Sequence, residues 1–233
     1  MKNNSSDFKK TDLIFVSTIH YDPKGKIRLL SMLEEIRPDI ITVEANDEME
    51  KYLQSERSKS VRDNVRRILE RRGANLDQLA TFDEFQVITL NTFEAPVVRE
   101  YCGNIIPYFL IDLWDDIERD GFENLQISTA NEFSIGNLSF LTTSLQEGAD
   151  FEYRGVRIGY ETGVTIPIDD PEVGRRDSYM GSRLQKLIEQ YPGKRIVHVG
   201  GTKHSFDDPD KRTLYSKFKD ISPIRHLLID VEK

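Results

Sequence analysis

Short, continuous apolar runs recur along the chain, and turn-forming or polar residues bound each of them. Runs of this kind that are rich in β-branched residues are typical of buried strands. They predict strands at Leu13–Thr18, 40–43, 105–111, 195–199 and 226–231, with Pro107 interrupting the third. These strands are therefore expected in the interior of a sheet.

Apolar residues at helical spacing lie between these runs. One predicted helix ends before Pro38, and its apolar residues are Ile27, Leu30, Leu33 and Ile36. Another opens at Pro171 and ends at Pro192-Gly193, with an apolar face of Met180, Leu184, Leu187 and Ile188. Further helices are predicted at 47–53, 59–72, 93–101 and 210–218.

Three stretches carry a weaker pattern. Alternation over Phe151–Tyr160 predicts strands, with a hairpin turn at Arg154-Gly155. Phe85–Leu90 fits a strand and a helix equally well. Within 121–144, a helix is expected around Ala130–Phe133.

The order strand, helix, strand within about 35 residues at the start of the chain predicts a parallel βαβ unit. We therefore expect an α/β fold with a mostly parallel central sheet and helices on both faces. Residues 1–233 are expected to form a single domain, with residues 1–10 as a flexible tail. In such folds the active site lies at the carboxyl ends of the strands.

Charge and cysteine content narrow the function classes. Forty acidic against 32 basic residues give a formal charge of −8, which argues against broad nucleic-acid binding. The single cysteine, Cys102, excludes a disulfide within the chain and fits a reducing cytoplasm. No signal-peptide core and no run of about 20 apolar residues is found, so a cytoplasmic location without a membrane segment is expected. A homo-oligomer stays open.

Two predicted strands end in a similar motif. Ser17-Thr18-Ile19-His20 follows the first strand, and Gly200-Gly201-Thr202-Lys203-His204 follows the fourth. The chain has four histidines, and two of them stand at these strand ends. Because parallel strands bring their carboxyl ends to one edge of the sheet, this pattern favours an active site there.

His20, His204 and Glu44, which follows the second strand, form a candidate catalytic and metal-binding set. Two imidazoles and a carboxylate are ligands for a divalent transition metal, which would lower the pKa of a bound water. Without a metal, a His–Glu pair would act as a general base. The spacing is not that of a known metal motif, and three unrelated polar strand ends remain the alternative.

Other residues near these strand ends are candidates for substrate binding. Gly200 and Gly201 allow close backbone approach or simply a tight turn. Lys203 would stabilise negative charge or lie in solvent, and Arg176 would bind an anionic group or a surface carboxylate. Asp112 would join the site or cap a helix. The arginines of the 59–72 helix form a solvated face or an electropositive wall, and these are Arg62, Arg66, Arg67, Arg71 and Arg72.

The order of these motifs resembles that of the TraB/GumN/Tiki family, within the wider set that includes erythromycin esterases and ChaN proteins. The matching blocks are Ser17–His20, the phrase from Arg37 to Glu44, the segment 94–112, Arg176–Met180 and Gly201–His204, and the resemblance is weak over 121–170. The sequence departs from the family where Ser17 replaces a glycine and where Leu113 follows Ile111-Asp112 in place of an arginine.

This resemblance implies a metal-dependent hydrolase in which His20, His204 and Glu44 bind Mn²⁺, Co²⁺ or Zn²⁺ and activate water. The substrate would be a peptide or small molecule with an amide or ester bond. The alternative is a non-catalytic protein on the same fold that binds a peptide or small ligand, as implied by the pheromone-shutdown role associated with TraB. A nucleotide-binding fold has no support, since neither GxxxxGK[ST] nor GxGxxG after a strand occurs.

Overall fold

The computed structural model describes residues 11–80, 82–83, 92–132, 144–163 and 171–231. Its centre is a parallel sheet of five strands in the order β3-β2-β4-β1-β5. The strands are β1 (Asp12–Thr18), β2 (Ile40–Val43), β3 (Tyr108–Leu110), β4 (Arg195–Gly201) and β5 (Ile224–Leu227). The predicted α/β class with a parallel sheet is confirmed.

Helices connect the strands and cover both faces of the sheet. The labelled α-helices are α1 (Gly25–Ile36), α2 (Asp47–Leu53), α3 (Glu56–Arg71), α4 (Glu94–Cys102), α5 (Asp116–Glu132), α6 (Leu145–Thr162), α7 (Pro171–Gln190) and α8 (Leu214–Lys217). Residues 76–80 are also helical. Short 3₁₀ turns cover Thr202–Ser205, Lys219–Ile221 and Leu228–Val231.

Alternate residues of β1 face opposite sides of the sheet and join two separate cores. Ile14 and Val16 pack in a core with residues of α1, α4 and α6. Leu13 and Phe15 pack in a second core with residues of α7 and α8, including Met180. The strand is therefore buried on both faces, which explains its continuous apolar sequence.

The two strands that carry the similar motifs are neighbours. β1 pairs with β4 in parallel over their whole length, with Thr18 opposite Gly201. β2 pairs with the other side of β4, with Val43 opposite Val199. The end of β4 therefore lies between the residues that follow β1 and those that follow β2.

The predicted strands over Phe151–Tyr160 were wrong, because these residues lie in α6. Ser144 caps the start of this helix, where its side chain accepts a hydrogen bond from the backbone of Glu147. Gly163 ends it at a φ of 65°, a conformation that glycine adopts readily. The side chains that face the sheet recur at helical spacing, as Ala149, Tyr153, Val156 and Tyr160.

Other boundaries also differ from the predictions. The predicted 105–111 strand is limited to β3, and Ile105 is 91% exposed. The helix expected around Ala130–Phe133 is part of the longer α5 (Asp116–Glu132), and Phe133 lies outside the described residues. The helix expected at 210–218 is only α8. The last strand starts before His226 and gives way to a 3₁₀ turn at Leu228. Phe85–Leu90 lies outside the described residues.

The first predicted helix is present, but its buried face is shifted. Arg28, Leu29, Met32 and Leu33 are its buried side chains, whereas Ile27 is 72% exposed. Arg28 forms a buried ion pair with Asp22 at 2.7 Å, which ties α1 to the turn after β1.

Among the described residues, no helix combines the length and apolar character that crossing a bilayer requires.

Candidate active site

The residues that follow β1, β2 and β4 meet at the floor of a cavity of about 590 Å³ at the carboxyl edge of the sheet. His20, Glu44 and His204 all line this cavity. The order of the strands brings them together, because β4 lies between β1 and β2. The three strand ends singled out in the sequence thus share one site.

His20 is held by a buried carboxylate from the first turn of α4. Its Nδ1 lies 2.7 Å from Oε1 of Glu94, which also accepts a hydrogen bond of 2.7 Å from the hydroxyl of Thr18. Burial opposes a charge on His20, but the Glu94 carboxylate outweighs it and raises the pKa of His20 to about 9. The side chain is 39% exposed, so the imidazole is fixed on one side and open on the other.

His204 lies deeper and contacts two carboxylates. Its Nε2 is 2.9 Å from Oε1 of Glu44, and its Nδ1 donates to Asp177 of α7. Asp177 is itself held by a 2.8 Å hydrogen bond from the backbone of Leu214. Burial disfavours the charged imidazole, yet the two carboxylates together raise the pKa of His204 to about 10. It is therefore an imidazolium at neutral pH.

Glu44 links the parts of the site. Its Oε2 accepts a 2.6 Å hydrogen bond from the backbone of Gly201, and its Oε1 accepts from Arg176 at 2.8 Å as well as from His204. Burial alone would raise the pKa of this carboxyl, but His204 and Arg176 hold it well below its usual range. A carboxylate that accepts three hydrogen bonds is a weak proton acceptor.

Arg176 is directed at carboxylates of the protein. Besides Glu44, its Nε and Nη2 donate to the two oxygens of Asp112 at 3.1 and 2.5 Å. Burial raises the pKa of Asp112, and Arg176 opposes that shift. Asp112 thus joins the site through Arg176, which is one of the two roles predicted for it.

The glycines after β4 leave room for the site. A Cβ on Gly201 would lie 2.8 Å from Nε2 of His20, so the backbone passes directly beside this nitrogen. A Cβ on Gly200 would lie 2.8 Å from Oε2 of Glu44 and 2.9 Å from Nε2 of His198. Gly201 lines the cavity, whereas Gly200 lies beneath its floor. Side chains at either position would displace the groups around them.

The remaining candidates divide between the site and its surroundings. Lys203 is exposed and lines the cavity. His198 is a buried core histidine, with its Nδ1 3.0 Å from the hydroxyl of Thr42. Ser17, the departure from the family motif, is buried and donates to Ser205 at 2.8 Å. None of the five arginines singled out in the predicted 59–72 helix, all of them described residues, lines the cavity.

Two imidazoles and a carboxylate, as at His20, His204 and Glu44, are side chains of the types that bind divalent metals. Each imidazole gives its Nδ1 to a carboxylate, which is how metal-bound histidines are commonly oriented. Within the part of the chain that the structure describes, however, no group of three or more His, Cys, Asp or Glu is spaced to hold an ion. A metal would require the protons on both histidines to leave, so the predicted metal stays a prediction.

The chain was compared with known proteins. No family model, curated protein or solved structure matches it. The resemblance to the TraB/GumN/Tiki family therefore stays a prediction that depends on the quoted motifs.

Sequence reasoning missed the partners that orient the two histidines. Glu94 appeared only as part of a family match, although it is 2% exposed and contacts His20 directly. Asp177 appeared as part of the Arg176–Met180 block, yet it contacts His204. A carboxylate in the first turn of a predicted helix beside a buried strand was the only available signal for Glu94.

The histidines of the site predict how stability depends on pH. An unfolded histidine has a pKa of about 6.5, so the proton held by His204 stabilises the fold fully below that pH and is lost towards about 10. His20 acts in the same direction up to about 9. His198, whose pKa burial lowers to about 4, acts oppositely and favours the fold above pH 6.5. We expect maximal stability near pH 6.5.

Urea unfolding at pH 5, 6.5, 8 and 9 measures this dependence. Between pH 7.5 and 9, His204 alone is expected to lower the free energy of unfolding by about 1.4 kcal/mol per pH unit. The H204Q variant is expected to lose the His204 contribution, while it keeps the slope that His20 contributes up to about pH 9 and the loss of stability below pH 6.5. A wild-type stability that rises from pH 6.5 to 9 would contradict the assigned ion pairs.

Proposed function

We propose that the protein is a hydrolase of amide or ester bonds in a peptide or small molecule, with water activated beside His20, Glu44 and His204. The observation that carries the proposal is the pairing of His20 with Glu94. A buried carboxylate on one imidazole nitrogen, with the other nitrogen facing a cavity, is the arrangement of a general base whose protonated form is stabilised.

In this proposal, Nε2 of His20 accepts a proton from water as the water oxygen attacks the carbonyl carbon. Glu94 stabilises the imidazolium that forms, and the proton then passes to the departing alcohol or amine. His20 holds a proton at neutral pH in the ligand-free protein, since its pKa is about 9. Turnover by this route therefore increases with pH as His20 loses that proton.

Glu44 has a positioning role in this scheme. It holds His204, Arg176 and the backbone of Gly201 through its two oxygens, and so it fixes the cavity floor. Arg176 and Lys203 line the cavity on the side where an anionic group of the substrate would bind. Because Arg176 already contacts two carboxylates, Lys203 is the more available cation for this contact.

As the alternative to a base at His20, a divalent ion such as Mn²⁺, Co²⁺ or Zn²⁺ would be held by His20, His204 and Glu44 and would supply hydroxide near neutral pH, with His20 as a ligand. Two protons leaving the histidines would offset the charge of one such ion. This chemistry and the TraB/GumN/Tiki resemblance are parts of the proposal.

A second candidate is a protein that binds a peptide or small ligand without reaction. The raised pKa of His20 favours it, because a protonated imidazole is not a ready base at neutral pH and donates a hydrogen bond to a ligand instead. In this case Lys203 and His20 would contact the ligand directly.

Turnover assays distinguish the two candidates. Purified protein is treated with a chelator, and aliquots receive Mn²⁺, Co²⁺, Zn²⁺ or buffer. Each is assayed with p-nitrophenyl esters and with peptidyl p-nitroanilides, and its melting temperature is measured. The hydrolase proposal predicts turnover, and a metal role predicts restored turnover together with a raised melting temperature. Absence of turnover with every substrate and metal would support the binding protein.

A further inference from the structure

One wall of the cavity is apolar and faces the catalytic floor. It is formed by side chains of α2, of the start of α5 and of the segment between β3 and α5, namely Met49, Leu53, Trp114, Phe122 and Leu125. A cavity of about 590 Å³ has the size of sites that take whole small molecules. The floor and this wall belong to one space, so a substrate at His20 extends towards the wall.

Aromatic packing makes the wall a defined surface. The ring centroid of Trp114 lies 5.5 Å from that of Tyr52 and 5.9 Å from that of Phe122. Leu53 is 8% exposed behind them, whereas Leu125 at the rim is 65% exposed. An apolar ligand that covers an exposed leucine removes apolar surface from water, which stabilises the complex.

The charges on this side of the cavity already have partners. Glu50 pairs with Arg99 at 2.9 Å, and Glu118 pairs with Arg175 at 2.5 Å. These ion pairs reduce the attraction of the wall for a charged substituent. Charge complementarity therefore favours an uncharged group against the apolar residues.

We infer that the substrate is an ester or amide with a large, uncharged, apolar acyl group that packs against the Trp114 wall. The inference rests on the proposed hydrolase and names its substrate class. With the carbonyl beside His20, the acyl chain lies along Trp114 and reaches Leu125 at the rim. Hydrolysis releases the apolar carboxylic acid and the alcohol or amine.

Chain-length dependence tests the inference. The kcat/KM values are measured for p-nitrophenyl acetate, hexanoate and octanoate. The wall predicts an increase of up to about fourfold for each methylene that leaves water. L125E is expected to lower the octanoate-to-acetate ratio at least tenfold. The matched control is I117E, because Ile117 lies on the same helix, is 63% exposed and lies outside the cavity.

Binding is measured separately from turnover. Trp114 is the only tryptophan of the chain, so its fluorescence reports on this wall alone. Octanamide is expected to change the emission in a saturable manner for the wild type and I117E, and to bind at least tenfold more weakly to L125E.

The outcomes separate the two proposals. Octanamide binding with this variant pattern but no ester turnover would support the apolar site and contradict the hydrolase. Ester turnover without chain-length preference would leave the hydrolase intact and overturn the acyl site. An unchanged Trp114 emission, or equal effects of L125E and I117E, would overturn it as well.

Discussion

Replacing His20 with alanine is expected to lower kcat/KM for the proposed hydrolysis by about 10² to 10⁴, the usual contribution of a positioned general base. The protein is expected to stay folded at reduced stability, because the imidazole is 39% exposed but the buried Glu94 loses its cationic partner. H226A is a matched control, since it removes an imidazole of β5 that does not line the cavity. Stopped assays on both variants at pH 7 and 9 measure the difference.

The dependence of kcat/KM on pH tests whether His20 acts as a general base. Wild-type kcat/KM is expected to rise with pH and level off near the His20 pKa of about 9. E94Q removes the carboxylate that raises this pKa, so its plateau is expected at lower pH with a smaller maximal rate. Equal activity of H20A and H226A, or a wild-type rate that falls from pH 7 to 9, would contradict a base at His20.

Replacing Glu44 with glutamine is expected to lower the free energy of unfolding by about 3–5 kcal/mol, since His204 and Arg176 each lose one of the two carboxylates that they contact. The glutamine has nearly the same shape, but it cannot offer carboxylate charge to His204 and Arg176 together. Urea unfolding at pH 6.5 with circular dichroism measures the loss.

E48Q is the matched control for this loss. Glu48 is a glutamate of α2 that forms an ion pair with Lys51, and both side chains are highly exposed. Its replacement is expected to change stability by less than about 0.5 kcal/mol. Similar unfolding midpoints for E44Q and E48Q would show that the buried network does not hold the fold together.

The sheet was predictable because its central strands are buried on both faces. Complete burial demands continuous apolar sequence, and β1, β2 and β4 have it. Helix α6 was missed for the opposite reason. Phe151 and Ile158 on its outer side are 71% and 60% exposed, so apolar residues occur on both sides of the helix and hide its period.

The part of the site that lies at strand ends could be predicted from the sequence. His20, Glu44 and His204 follow parallel strands, and adjacency in the sheet brings them together. The partners depend on how helices dock, which no local pattern encodes. Glu94 is 74 positions from His20, and Arg176 contacts the protein's own Asp112 where an anionic ligand was one expectation.

The position of β4 in the sheet also determines when the site can assemble during folding. This strand separates β1 from β2, yet Thr42 of β2 and its partner His198 are 156 positions apart in the chain. During synthesis, β1 and β2 emerge long before the strand that joins them, and pairings of this span form slowly. His204 arrives with that same strand, so the residues of the proposed site assemble only when the sheet closes. Incomplete chains are therefore expected to expose strand edges and to lack the assembled site.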